Sequence, residues 1–200
     1  MGTNQGIAHQ MQSLLLVAFL ILGEAPAGRG QDPVSAKEQS ESAAGYKEFL
    51  SRVQAYISMR KSIESALPAL KRTDLPEMIT AHQQALARKI REARPNAKPG
   101  DIFTESARKA FRRTIRDEFQ GPHGRGARAT IRQGEPLKEI LLQVNEPYPD
   151  GVAFTTVPPS LLLKLPKLPD QVAYRIVGRD LILLDVEANL VVDRISEIIP

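Results

Sequence analysis

Apolar positions between Tyr46 and Leu70 fall at Tyr46, Phe49, Val53, Tyr56, Ile57, Ile63, Leu67 and Leu70. Spacings of three and four set them on one stripe of an amphipathic helix, and Pro68 closes it. A second stripe runs through Leu75, Ile79, His82, Leu86, Ile90 and Ala93 to Arg94-Pro95. Asp74 and Glu77 form a capping box at its start, with Pro76 in the first turn. Thr104 caps a third helix, whose Ala107, Ala110, Phe111, Ile115 and Phe119 share a face, and Gly121-Pro122 stops it. Three amphipathic helices on short loops predict a bundle, or a hairpin with a flap.

The period changes in the last third of the chain. Ile140, Leu142 and Val144 alternate with Glu139 and Gln143, as in a half-buried strand. Tyr174 to Ile195, YRIVGRDLILLDVEANLVVDRI, holds three β-forming segments separated by Gly178-Arg179-Asp180 and Glu187-Ala188-Asn189, which are turn chemistry. A three-stranded antiparallel meander follows. Pro158-Pro159-Ser160 opens a helical turn over Leu161 to Leu165, whose leucines are expected to cover one sheet face. Between these regions the chain is poor in apolar periodicity. Residues 28–44 read as a flexible linker, and 122–136, rich in Gly and Arg, as a second one. The predicted class is α+β: a helical domain over 45–121 and a small α+β domain over 137–200.

Composition adds a location. Leu14 to Leu22, LLLVAFLIL, is unbroken and apolar, too short to span a bilayer comfortably, and is followed by Ala25-Pro26-Ala27. This predicts a signal peptide over 1–27, cleaved near Ala27, and a periplasmic or secreted mature chain without a transmembrane span. Met1 to Ser13 carries no Lys or Arg, and Met11 is an alternative start. There is no cysteine, so disulfides, thiolate metal sites and Cys nucleophiles are all excluded. Removing Glu24 with the leader leaves 27 basic residues against 22 acidic, a net +5 where the whole chain has +4.

Tyr148-Pro149-Asp150-Gly151, Val157-Pro158-Pro159, Leu165-Pro166-Lys167-Leu168-Pro169, Tyr174 to Leu181 and Asp185 to Asp193 together resemble a family of uncharacterised exported bacterial proteins. The meander is also similar to the strand pair that ends small periplasmic proteins of the nickel and cobalt homeostasis type, and to other exported domains of unknown function. The first resemblance implies export and no catalytic residue. The second implies a metal connection for which the sequence has no matching ligand cluster.

The candidate chemistry is electrostatic. Arg108, Lys109, Arg112, Arg113, Arg116, Arg125, Arg128 and Arg132 stand against only Asp117 and Glu118, a local +6. At 100° per residue the first five lie opposite Ala107, Phe111 and Ile115. Two readings stay open. One is a solvated face with Glu105–Lys109 and Arg113–Asp117 as ordinary pairs. The other is attraction to a polyanion: anionic lipid, lipopolysaccharide or an acidic envelope protein. Nucleic acid is not expected, for no aromatics interleave the cations.

His82 belongs to an apolar stripe and His123 to a Gly-rich loop, which favours no metal. Asp185-x-Glu187-x-Asn189 imitates a calcium loop, but Leu190 replaces its glycine and Ser196 its final glutamate. No nucleophile elbow, His-Glu-x-x-His or phosphate loop is present. The expectation is a non-catalytic exported protein without cofactor, binding through Arg108, Lys109, Arg112, Arg113, Arg116, Arg125 and Arg128. The alternatives are a periplasmic metal-stress protein and a hydrolase with an unrecognised acid/base site.

Overall fold

The computed structural model describes residues 33–70, 75–133, 142–149, 151–153 and 155–200. Leu14–Leu22 and Ala25–Ala27 lie outside them. The elements are α1 (Pro33–Ala66), α2 (Pro76–Ala93), α3 (Glu105–Gln120), α4 (Gly124–Gln133), β1 (Thr155–Thr156), α5 (Pro159–Leu162), β2 (Val172–Val177), β3 (Asp180–Asp185) and β4 (Leu190–Ile195). The class is α+β, with the helices N-terminal and an antiparallel sheet of order β1-β2-β3-β4 C-terminal.

Three features depart from the sequence expectations. α1 begins at Pro33, so most of the expected linker 28–44 is helix. Its residues are tolerable helix formers without an interior proline, and they show no apolar period because this end of the helix is largely exposed. Likewise Gly124–Gln133, expected as linker, is α4. Its first glycine meets a steric demand: a Cβ on the buried Gly124 would lie 2.0 Å from the Phe119 carbonyl oxygen. Ala127 and Ile131 complete its buried side. Finally, Leu142 to Val144 form no strand where one was expected, and Ile140 lies outside the described residues. The strand that extends the meander is instead Thr155–Thr156, which pairs with Ile176 and Arg175.

The expected helix ends fare differently. The Thr104 hydroxyl accepts from the Ala107 N–H, and Gly121 caps the other end of α3. The N-cap position of α2 is Leu75; Asp74 lies outside the described residues.

Helices and sheet share one apolar core. Phe49, Val53 and Ile57 of α1, Leu86 and Ile90 of α2, and Phe111 and Ile115 of α3 pack with Tyr174, Ile176, Leu181, Leu183 and Val192 of the sheet. At its centre Phe49 stacks on Phe103 at 5.0 Å, and Phe111 meets both edge-on. Leu161 and Leu165 join this core, whereas Leu162 and Leu163 are exposed. The opposite sheet face, with Val177, Ile182, Leu184 and Val191, is covered by Leu142, Tyr148 and Val152. This segment also bonds along β4, where the Asn145 N–H donates to the Val191 carbonyl and the Tyr148 N–H to the Asn189 carbonyl. A small sheet needs such cover on both faces to be stable.

α1 and α3 approach closely because Gly45 faces Ser106, whose carbonyl oxygen would lie 2.5 Å from a Cβ on Gly45. On the far side of α3, buried Glu118 accepts from the Ser160 hydroxyl and pairs with Lys164 at 2.6 Å, tying α5 to α3. Lys164 and then Ser160 hold the Glu118 carboxyl below its ordinary value of 4.5. Its charged form therefore stabilises the fold above that pH, and the contribution is lost as pH falls through the lowered value. The melting temperature of Glu118→Gln is expected to fall less than that of the native chain between about pH 6 and about pH 3. Parallel thermal melts across that range test it, and equal slopes would contradict it.

Candidate functional site

A groove with a volume of about 890 Å³ runs between α1 and α3. Lys109, Arg112, Arg113 and Arg116 line it from α3, together with Glu105 and Asp117; Glu38 and Glu41 line it from α1. Four cations thus face four carboxylates. The stripe is on the solvent side of α3, opposite buried Ala107, Phe111 and Ile115, but it is not a bare cationic surface.

Its members have different partners. Arg108 and Lys109 both pair with Glu105, at 3.4 Å and 3.9 Å. Arg113 pairs with Glu38 of α1 rather than with Asp117. Arg112 donates to the Ser196 carbonyl at 3.3 Å. Arg116 is exposed and has no ion pair among the described residues.

The α4 cations are placed otherwise. Arg125, Arg128 and Arg132 are all exposed and fall within an arc of roughly 60° at 100° per residue. Gly124, Ala127 and Ile131 form the buried side. The helix contains no acidic residue, and none of the three arginines has an ion pair among the described residues. Arg128 donates to the Phe119 carbonyl at 2.9 Å, so its charge caps the C-terminal end of α3, where a cation is favoured. Arg132 thus completes a triplet with Arg125 and Arg128.

A second polar cluster lies inside the fold. The Arg60 guanidinium is 1% exposed and donates through Nε to Asp185 Oδ2 at 2.8 Å, through Nη1 to Glu64 at 2.6 Å, and through Nη2 to Glu187. Asp185 Oδ2 also accepts from the Tyr56 hydroxyl at 2.8 Å, while Oδ1 takes the Ala188 N–H in the turn. Burial works against the charge on Arg60, but Asp185, Glu187 and Glu64 outweigh it and hold its pKa above the ordinary arginine value. Burial, reinforced by Asp185, pushes the Tyr56 hydroxyl far up, so it stays protonated and donates. Chemically this is a closed cluster whose central groups are shielded from solvent.

Asp193 is the other buried carboxylate on this side. Oδ1 accepts from the N–H groups of Gly100 and Arg194, and Oδ2 from those of Ile102 and Phe103, at 2.7 to 2.9 Å. Burial pushes its carboxyl up against the pull of these donors.

His82 and His123, the histidines among the described residues, do not meet. His82 is half-buried with Nε2 3.7 Å from Glu187, and His123 is exposed at the α3–α4 corner. Among the described residues no three His, Asp or Glu side chains converge as a metal would require. A cleft of about 370 Å³ between α2 and Pro147–Pro149 is lined by Thr80, Gln83, Gln84 and Arg88 and holds no acid/base pair. No family model, curated protein or solved structure matches this chain.

Sequence reasoning missed Arg60, although a signal exists. The apolar stripe of α1 breaks between Ile57 and Ile63, and Arg60 fills the vacant helical position. Replacing it by Ala leaves Asp185 buried and unpaired, so Arg60→Ala should lower unfolding free energy by about 3–5 kcal/mol. Adding Asp185→Asn should restore part of the loss, since no buried charge then lacks a partner. Urea unfolding of the single and double variants decides, and simple additivity would contradict the coupling.

Proposed function

We propose that the protein is an exported, non-catalytic binding protein that docks to an anionic envelope surface through Arg125, Arg128 and Arg132 of α4, with exposed Arg116 of α3 as a further cation. The observation that carries this reading is the exposed arginine face of α4, which has no carboxylate pair among the described residues. Export is supported by Leu14–Leu22 and the Ala-Pro-Ala that follows, and by the resemblance of the C-terminal region to exported bacterial proteins. A non-catalytic role is supported by the fate of the buried carboxylates: Asp185, Asp193 and Glu118 are each tied to structural partners.

Phosphate groups fit this face best, because a guanidinium offers a planar fork of donors that matches phosphate oxygens. The apolar side of α4 is used by the fold, so contact would be electrostatic, without insertion of the helix into lipid. No described helix is long and apolar enough to cross a membrane. Each arginine near an anionic leaflet contributes about 1 kcal/mol, so the binding is reversible and salt-sensitive.

Sedimentation with vesicles of phosphatidylglycerol in phosphatidylcholine, against pure phosphatidylcholine, tests the reading. Binding is expected only with phosphatidylglycerol, and to vanish at high salt. R125E/R132E, which spares the Arg128 cap, should weaken it by about 30-fold or more. Equal binding by this variant, or equal binding to both vesicle types, would overturn the assignment. Retention of an acidic envelope protein without vesicle binding would redirect it to a protein partner.

A further inference from the structure

Resting on the reading of the arginine surface as an anion-docking site, we propose that the N-terminal third of α1 is an electrostatic strap, which holds Arg113 of α3 through Glu38, sets Glu41 in the same groove, and gives these cations up to a competing anion. The strap is Pro33–Ala44, the part of α1 before the close contact at Gly45. It differs in kind from the rest of the helix. From Phe49 onward α1 is anchored by buried Phe49, Val53, Tyr56 and Ile57. From Ala36 to Ala44 every residue but the half-buried Ser42 is exposed, and none is a large apolar side chain.

What joins this segment to α3 is charge. Glu38 pairs with Arg113, and Glu41 lines the same groove. Glu38, Glu41, Ser42 and Gly45 recur at helical spacing on the side of α1 that faces α3, whereas Lys37, the strap's own cation, does not line the groove. A helical piece of about 12 residues is marginal in water by itself, and residues 36–44 of this one bury no apolar side chain. Its attachment is therefore at the low end of stability within the fold, where opening costs least. An interior glycine at position 45 weakens the helix where strap meets anchored core.

The consequence is a graded surface. With the strap in place, α4 and Arg116 offer cations that have no carboxylate pair among the described residues, and Arg112 is held only by the Ser196 carbonyl. With it released, Arg113 is freed, and Lys109 and Arg112 lose the facing carboxylates of α1. Anions in quantity would therefore both open and occupy the surface, and high salt would open it without filling it.

The experiment compares three proteins on the phosphatidylglycerol vesicles: the native chain, E38Q/E41Q, and E77Q/E92Q. The last makes the same change in net charge on exposed residues of α2 that do not line the groove. E38Q/E41Q should bind roughly 5-fold tighter than E77Q/E92Q, the worth of a pair of exposed carboxylates on nearby arginines. Hydrogen exchange read by mass spectrometry adds a second measure. Amides of residues 36–44 should exchange faster once vesicles are added, while those of 49–57 stay protected. If the native chain binds but both double variants gain equally, or residues 36–44 are as protected as 49–57 with and without vesicles, the strap is wrong and the docking surface stands. If no form binds the vesicles, the docking surface is wrong and the strap falls with it.

Discussion

The arrangement of this fold depends on two carboxylates that the sheet turns toward the helices. Asp185 ends β3 on the same face as Leu181 and Leu183, which belongs to the core. Asp193 reaches that face through a bulge: Leu183 pairs with Asp193 while Leu184 pairs with Val191, so Val192 is the extra residue and the side-chain alternation shifts by one. Neither group can stay buried without partners. Asp185 draws Arg60 and Tyr56 of α1 onto the sheet, and Asp193 draws the backbone of Gly100, Ile102 and Phe103. Replacing such groups by apolar ones is often neutral for stability. Their contribution is to position: they allow one seating of α1 and one course of the α2–α3 loop. Phe103, so fixed, is then stacked on Phe49.

Lack of cysteine and scarcity of aromatics make that positioning matter more. The chain has six Phe, four Tyr and no Trp, and Tyr46, Phe49, Phe103, Phe111 and Tyr174 are gathered into one cluster. The cluster joins α1, the loop before α3, α3 itself and β2. Neither the helices nor the meander has a comparable core alone, which is why the two segments form a continuous interior rather than separate modules. The sheet is covered by helices on one face and by the 142–152 segment on the other.

Much of this was legible in the sequence, and the failures share a cause. The stripes of α1, α2 and α3, the Thr104 cap, the Gly121 stop and the two turns of the meander follow from local periodicity and turn chemistry, which are written in neighbouring residues. α4 was not legible, because its glycines suggest a linker, and the reason Gly124 is a glycine lies in the Phe119 carbonyl. The strap of α1 carries no apolar period, and its residues 36–44 are exposed apart from the half-buried Ser42. Arg60 and Asp193 are polar residues in apolar company, and their partners are 125 and 90 to 93 residues away. The α2 stripe shows the converse: Leu86 and Ile90 are buried, but Leu75 and Ile79, equally in phase, are exposed. Periodicity announces a face and does not say how much of it is covered.

Charge is the property for which local counting misleads most. Along the chain, Arg108 to Arg132 is one basic block with two acids. In space it divides by what each helix packs against. α3 lies along α1 and receives its glutamates; α4 lies against α3 and β1 and has no carboxylate pair among the described residues. Two helices with similar arginine content thus present different surfaces to a ligand. Ions within about 10 Å feel each other at 0.1 M salt, a distance set by packing rather than by sequence separation. Glu38 is 75 residues from Arg113 and in contact with it, whereas Asp117, at the expected helical spacing, is not its partner. The electrostatic character of this surface is therefore a tertiary property, and a count along the chain could locate the cations but not say which of them are free.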